Sequence, residues 1–304
     1  AMLTVEAMRK ELAAIRAGTT SPYNVNFFCH TPPAPSADRE AAWRKLLTPY
    51  FDEYGIDADS IPAGPGRAPF SGEWADALEE FQPRVISFHF GLPPAPLLAR
   101  VKRWGSVILA SATTVDEARW LEENGVDAVI AQGVDAGGHR GTFLSDDLST
   151  QVGTFSLVPQ IVRAVKLPVI AAGGIADADG VAGAMALGAA GVQIGTAYLL
   201  CPEATTSAVH RAALKSAAAP QTALTNLLTG RPARGIVNRL MSELGPINGL
   251  APAFPLATSA LAPLRAKAEA EGKGDFSPLW AGQNVTGCKE IPAAELTRAL
   301  ARKL

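Results

Sequence analysis

A parallel (β/α)8 barrel of TIM type, short of its first strand and carrying a small cap, is the fold this chain predicts, and three observations predict it. Short apolar runs alternate with helical patterns along the chain, as repeated βα units do. Runs such as Val169-Ile-Ala-Ala172 are apolar at every position, which suits strands covered on both faces. Two strand ends, Pro168-Val-Ile-Ala-Ala-Gly-Gly-Ile175 and Gly191-Val-Gln-Ile-Gly-Thr196, run directly into glycine-bearing turns. In a barrel, such turns belong to the C-terminal face, where ligands bind. With 304 residues, 48% of them hydrophobic, the chain can bury one large core, so 1–304 is read as a single domain.

From the N-terminus, Thr4 caps a helix whose apolar stripe is Val5, Met8, Leu12 and Ile15, and Gly18 stops it. A strand follows at 24–28. Pro32, Pro33 and Pro35 then mark a loop, residues 38–54 read as helix, and the Pro/Gly-rich stretch 61–69 leads into a short helix near 73–81. This insertion, around 31–82, is expected to form a cap or lid. Further strands are expected at 85–90, 107–111, 128–132, 168–172 and 191–195, with helices near 95–103, 115–124, 155–165, 178–187 and 203–217. Residues 222–227 are a candidate for the last strand. That count is seven, one short of closure, and the chain opens directly on a helix. An open barrel leaves backbone N–H and C=O groups unpaired along two edges. The expectation is therefore that a strand is supplied from elsewhere or that the natural chain is longer, with Ala1 an addition ahead of Met2.

The charge pattern narrows the function. A net charge of −2 without long runs of one sign leaves no electrostatic footprint for nucleic acid or an anionic membrane. Cys29, Cys201 and Cys288 are odd in number, far apart and without metal-ligand spacing, so reduced thiols in a cytoplasm are expected and no metal site is. No apolar run is long enough to span a bilayer and no leader pattern is present. Oligomeric state is open, with a homo-oligomer among the alternatives.

Chemistry concentrates in two places. Gly173, Gly174 and Gly195, with Thr196, can bring successive main-chain N–H groups onto a dianionic phosphate without a cationic side chain. The plainer alternative is a pair of tight strand-to-helix turns. The second place is Ala131-Gln-Gly-Val-Asp-Ala-Gly-Gly-His-Arg-Gly141, at the mouth end of the 128–132 strand. Its glycines let the backbone wrap a flat ligand and hold His139 over it, and imidazole is the side chain best suited to proton transfer near neutral pH. A histidine satisfying a loop carbonyl is the alternative there. Asn26 and Gln132 each offer a donor and an acceptor, or else serve as capping amides at strand ends.

These residues carry a resemblance. Gln132-Gly-Val-Asp-Ala-Gly-Gly-His139, Ala171-Ala-Gly-Gly-Ile175, Gly188-Ala-Ala-Gly-Val-Gln-Ile-Gly-Thr196, Asn24-Val-Asn26 and Trp280-Ala-Gly-Gln283 together resemble the nitronate monooxygenases, FMN-binding barrel enzymes. The resemblance implies FMN as cofactor, with Asn26, Gln132, Gly137 and Gly138 against the flavin. It implies that Gly173, Gly174, Gln193, Ile194, Gly195 and Thr196 take its phosphate. It makes His139 the catalytic residue, acting on a small-molecule nitronate with molecular oxygen to give a carbonyl compound and nitrite. Family members begin with a strand whose Ala-Pro-Met-type loop touches the flavin; this sequence has no equivalent, and weaker cofactor retention is the expectation. A flavin-dependent enoyl-thioester reductase and a flavin-binding protein without catalysis are the alternatives.

Among the remaining polar residues, His30 either faces the mouth or is structural, and His89 is placed by strand alternation to point inward. His210, in an Ala-rich helix, is expected to face solvent. Arg231 and Arg234 are read as ion-pairing and carbonyl-capping residues, and Asp135 has no assignable partner.

Overall fold

The computed structural model describes residues 3–62 and 66–304. The Ala1-Met2 start and the centre of the 61–69 stretch lie outside the described residues. Among the described residues nine strands are formed: β1 Asn24–Phe28, β2 Val85–His89, β3 Val107–Ala112, β4 Ala128–Gln132, β5 Gly138–His139, β6 Val169–Ala172, β7 Gly191–Gln193, β8 Thr222–Thr225 and β9 Ala233–Ile236. Eleven α-helices accompany them: α1 Val5–Gly18, α2 Ala37–Glu53, α3 Gly72–Glu79, α4 Ala95–Arg103, α5 Val115–Glu123, α6 Thr154–Ala164, α7 Ala178–Ala186, α8 Ala208–Leu214, α9 Arg239–Leu244, α10 Thr258–Ala270 and α11 Ala293–Leu300. Side-chain caps set several helix starts: Thr4 Oγ1 accepts from Ala7 N at 3.1 Å, Thr114 Oγ1 from Glu117 N at 3.2 Å, and Asp177 Oδ1 from Gly180 N at 2.7 Å.

Six strands make one parallel curled sheet in the order β1-β2-β3-β4-β6-β7. Side chains in a strand alternate between its faces. Phe27, Ile86, Phe88, Ile108, Ala110, Val129, Ala131, Val169 and Ala171 face the helices and form the main core with Leu78, Val101, Leu121, Leu157 and Ile161. The alternate positions, Asn24, Asn26, Ser87, His89, Ser111 and Gln132, turn inward and are polar. This polar inner face leaves the concave side of the sheet hollow.

The 222–227 segment requires a correction. It is a strand, but β8 pairs antiparallel with β9, and β9 pairs antiparallel with β5, in a separate three-stranded sheet. Only a short connection separates β8 from β9, whereas a parallel crossover needs a dozen or more residues. The curled sheet thus holds six of the seven counted strands. The 203–217 helix is likewise reduced to α8 behind a 3-10 turn at Thr196–Leu200. Cys201 is extended, at φ −57° and ψ 142°, because Pro202 disfavours helical geometry in the residue before it.

A second core lies beside the sheet. Trp43, Leu47, Tyr50 and Phe51 of α2 pack with Leu261 and Leu264 of α10, and with Leu227, Leu240 and Phe276. The 31–82 stretch therefore divides: α2 builds this core, while Trp74, Ala75 and Leu78 of α3 join Met8 and Leu12 of α1 in the first. No helix among the described residues is long and apolar enough to cross a membrane.

Trp43 is fully buried and its indole N–H donates to the Ala257 carbonyl at 3.4 Å. Trp43→Ala is expected to lower unfolding free energy by about 3–5 kcal/mol in urea titration. A loss under about 1 kcal/mol would show that the second core is not close-packed there.

Candidate functional site

The inward faces of β1 to β7 enclose a cavity of about 500 Å³ at the C-terminal ends of the strands. Asn26, Gln132, Gly137, Gly138, His139, Gly173, Gly174, Gln193, Ile194, Gly195 and Thr196, the residues singled out in the sequence, all line it. Residues that sequence reasoning passed over also line it, among them Ser87, Ser111, Leu199, Gly282 and Asn284. Ser87 was legible through strand alternation. Gly282 lies in the quoted Trp280-Ala-Gly-Gln283 run, but nothing local in Asn284 marks it.

At one end the two glycine turns meet. Gly173 and Gly174 have φ of +123° and +70°. A Cβ on Gly173 would stand 2.7 Å from Thr154 Oγ1 and 2.9 Å from Ala136 N, so packing as well as φ requires glycine there. β7 ends at Gln193, earlier than the expected 195, and the chain beyond it is released from the ladder. The main-chain N–H groups of Gly174, Gly195 and Thr196 consequently donate to no acceptor among the described residues. Behind them, Gly282 N donates to Thr196 Oγ1 at 2.9 Å, Asn284 Nδ2 to the Gly174 carbonyl at 3.0 Å and Cys288 Sγ to the Thr196 carbonyl at 3.1 Å. The 280–288 segment braces both turns from outside. No Lys or Arg lines this cavity.

The other end is built around the 133–141 loop. Gln132 Nε2 donates to the His139 carbonyl at 2.9 Å while its Oε1 accepts from Gly141 N at 2.8 Å. Arg140, fully buried, donates from Nη1 to the Gly133 carbonyl at 2.6 Å and from Nη2 to the Gln132 carbonyl at 2.7 Å, with Gln151 Oε1 taking its Nε at 3.0 Å. Asp135, for which the sequence offered no partner, accepts from Thr154 N at 2.6 Å. Gly137 cannot carry a side chain, because its Cβ would stand 2.6 Å from Ala281 C. β5 then pairs with β9 and fixes His139 over the cavity.

His139 Nε2 lies 2.9 Å from Thr229 Oγ1, whose own proton goes to the Arg231 carbonyl at 3.3 Å. Thr229 Oγ1 thus holds the ring through Nε2, and Nδ1 has no hydrogen-bond partner among the described residues. Burial, followed by the nearby charge of Arg67, holds the His139 imidazole well below its ordinary pKa, so it is neutral. Its ring stands 5.2 Å from Phe254 and 5.5 Å from Trp280. His89 points inward as expected, with Nδ1 3.0 Å from Ser111 Oγ and Nε2 3.2 Å from the His139 carbonyl. Burial pushes its pKa down to about 4.

The remaining residues divide. Asn26 Oδ1 accepts from Ser87 Oγ at 2.8 Å, leaving its Nδ2 uncommitted. His30 does not line this cavity; it is buried edge-on against Phe254 at 4.8 Å. Arg231 donates to the Thr142 carbonyl and lies 4.2 Å over Phe90, a residue held at φ +70°. Arg234 donates to the Val134 carbonyl at 2.7 Å. Both arginines cap carbonyls, and among the described residues neither forms an ion pair. His210 is half-buried, contrary to its expected exposure, because α8 turns that face inward.

The family model for nitronate monooxygenase matches residues 1–303. A nitronate monooxygenase of Pseudomonas aeruginosa is 40% identical over 98% of this chain and 86% of its own length; one from Paraburkholderia phytofirmans is 40% identical over 99% and 83%. Among solved structures, a nitroalkane oxidase of Streptomyces ansochromogenes is 37% identical, covers 99% of this chain and 85% of its own, and superposes with a TM-score of 0.88. FabK from Thermotoga maritima, at 25% identity and a TM-score of 0.70, is more distant.

Neutral buried imidazoles set a pH dependence. An unfolded histidine takes up its proton near pH 6.5, but folded His89 does so only near pH 4. Between these values the unfolded chain binds more protons, so stability is full above about pH 6.5 and falls as pH drops toward 4. His89→Gln keeps an amide for both partners and removes the titration. Urea midpoints measured from about pH 7 to 5 are expected to fall less steeply in this variant than in the parent; equal slopes would remove His89 from the linkage.

Proposed function

The chain belongs to the nitronate monooxygenase family, flavin-dependent oxidoreductases that act on small molecules, and on that premise we propose that it oxidises alkyl nitronates with FMN and molecular oxygen, giving a carbonyl compound and nitrite. The observation that carries this reading is the pairing of a cradle of uncommitted main-chain N–H groups at one end of the cavity with a neutral, fixed imidazole at the other.

The residues fit FMN. Gly174, Gly195 and Thr196 offer N–H donors, and Thr196 its hydroxyl, to a phosphate. Gly195 opens onto empty space, since a Cβ there meets nothing within 4 Å. Asn26 Nδ2 is free to meet a carbonyl edge of the flavin, whereas Gln132 contributes chiefly by holding the loop, as both ends of its amide are engaged. The flavin, when bound, supplies the electron transfer.

The chain's own contribution is positional and electrostatic. Thr229 holds the His139 ring through Nε2, and burial keeps the imidazole neutral beside the substrate. Because burial weakens that base, removing a carbon-bound proton from a neutral nitroalkane is uphill here. A nitronate, already deprotonated, avoids the step. Phe28, Trp280 and the neighbouring Phe254 keep the imidazole in apolar surroundings. The three free cysteines are in keeping with a cytoplasmic location.

His139→Ala is expected to keep its yellow colour and to lose nitrite release by about 100-fold or more. Undiminished release from a nitronate, without pyridine nucleotide, would remove the imidazole from the reaction. A requirement for NADH or NADPH would favour an enoyl-thioester reductase. Gly195→Leu is expected to fold normally, because its side chain enters open space, and to purify without flavin absorbance. Full flavin content in that variant would place the phosphate elsewhere.

A further inference from the structure

Across an aromatic wall from the flavin-sized cavity lies another, of about 310 Å³. Phe28 lines the first and Phe90 the second, their rings 4.8 Å apart, and the two cavities have no lining residue in common. The second is therefore a compartment of its own.

Its interior carries polar groups that the fold leaves unpaired. His30 is 5% exposed, and neither of its ring nitrogens has a hydrogen-bond partner among the described residues. Burial lowers the His30 pKa against the opposing pull of the Arg67 main chain, so the imidazole is neutral, with one N–H and one lone pair. Arg231 lies 4.2 Å over Phe90 and gives Nη2 to the Thr142 carbonyl, but its Nε, shut away from solvent, has no partner among the described residues. A buried donor without an acceptor is a cost that a bound ligand removes.

The mouth carries the opposite charge. Asp146 lines it from an exposed position, beside the hydroxyls of Thr31 and Ser145. Burial lowers the Arg231 pKa and the charge of Asp146 raises it, yet no ion pair closes between the two among the described residues. A guanidinium inside thus faces a carboxylate outside across the cavity.

We propose that this cavity binds a small zwitterion of the α-amino acid class, its carboxylate held by Arg231 Nε and the His30 N–H, and its ammonium by Asp146 at the mouth. The site goes beyond the proposed function and does not depend on it. A simple anion meets Asp146 at the entrance, and a simple cation meets Arg231 inside; a ligand carrying both charges in that order satisfies both. Phe143 and Leu144 line the remaining wall and suit a short apolar side chain.

L-Alanine is the probe, with propionate and ethylamine as analogues that each lack one charge. Calorimetric titration of the purified protein is expected to show alanine binding about tenfold or more tighter than either analogue. Arg231→Met, which keeps a stem over Phe90, and Asp146→Asn, at an exposed position that leaves the fold intact, are each expected to weaken alanine by about tenfold, while Asp146→Asn leaves propionate no weaker. His30→Phe removes the unpaired nitrogens. It is expected to weaken alanine likewise and to raise the urea midpoint of the ligand-free protein, the reverse of what loss of a structural histidine does. Alanine that fails to bind, or whose affinity ignores Arg231→Met, Asp146→Asn and His30→Phe alike, leaves only water against these groups and overturns the site. Propionate binding as tightly as alanine overturns the zwitterion.

Discussion

The site depends on a buried cation that touches no carboxylate. Arg140 is enclosed completely, and its guanidinium is satisfied by two main-chain carbonyls and the Gln151 amide oxygen. Those carbonyls belong to Gln132 and Gly133, where β4 ends and the 133–141 loop begins, so the side chain ties the loop's far end back to its own start. Burial lowers the Arg140 pKa to about 10, which still leaves it charged at neutral pH. Removing it would take the Arg140 donor from the Gln132 carbonyl, while the Gly133 carbonyl would keep Ala136 N at 3.0 Å; a buried acceptor left without a partner costs about 1–3 kcal/mol. Gln132 works in parallel, its amide closing the ring from the other side. His139 lies between these two pins, and its orientation is a product of theirs.

The same economy governs the glycine-turn end of the cavity. β7 stops two residues before Gly195, and the N–H groups freed by that early stop face the cavity. A freed turn would be loose on its own. The 280–288 segment, nearly a hundred residues on, supplies Gly282, Asn284 and Cys288 as braces, while the Gly235–Trp280 bridge anchors that segment to β9. Because β9 also pairs with β5, the cradle and the imidazole are fixed to one another through the small antiparallel sheet. The curled sheet provides the hollow, and the small sheet sets the distance across it.

How much of this was legible in the sequence follows from the range of the forces involved. Strand alternation and glycine turns are local, so β1 to β4, β6, β7 and those cavity-lining residues that sit on strand ends or glycine turns could be read directly, whereas Leu199 and Asn284 could not. The helices α9, α10 and α11 could not, because that last fifth of the chain is rich in alanine and proline, α9 and α11 are short, and the apolar positions of α10, which carries Pro263, keep no sustained period. β9 was hidden by Arg234, whose charge argues against a strand until its long contact with the Val134 carbonyl is seen. β8 was visible as a strand and misjudged in its pairing, since register and partner depend on how short the following connection is. Asp135 and Arg140 differ from ordinary loop residues only in what lies across from them, and one sequence does not state that.

The placement of charge bears on which carbon acid the site prefers. Arg67 and Arg231 stand around His139 without entering the flavin-sized cavity, and both, together with burial, disfavour a protonated imidazole. Positive charge near a base weakens it, yet the same charge attracts an anion. A site built to deprotonate a neutral nitroalkane would reverse this arrangement and place a carboxylate beside the imidazole to raise its proton affinity. None lies there: among the described residues the hydrogen-bond partner of His139 Nε2 is a threonine hydroxyl, and Asp135 is turned away to hold Thr154. The electrostatics therefore favour a substrate that arrives already deprotonated, with the imidazole tuned to stay neutral beside it.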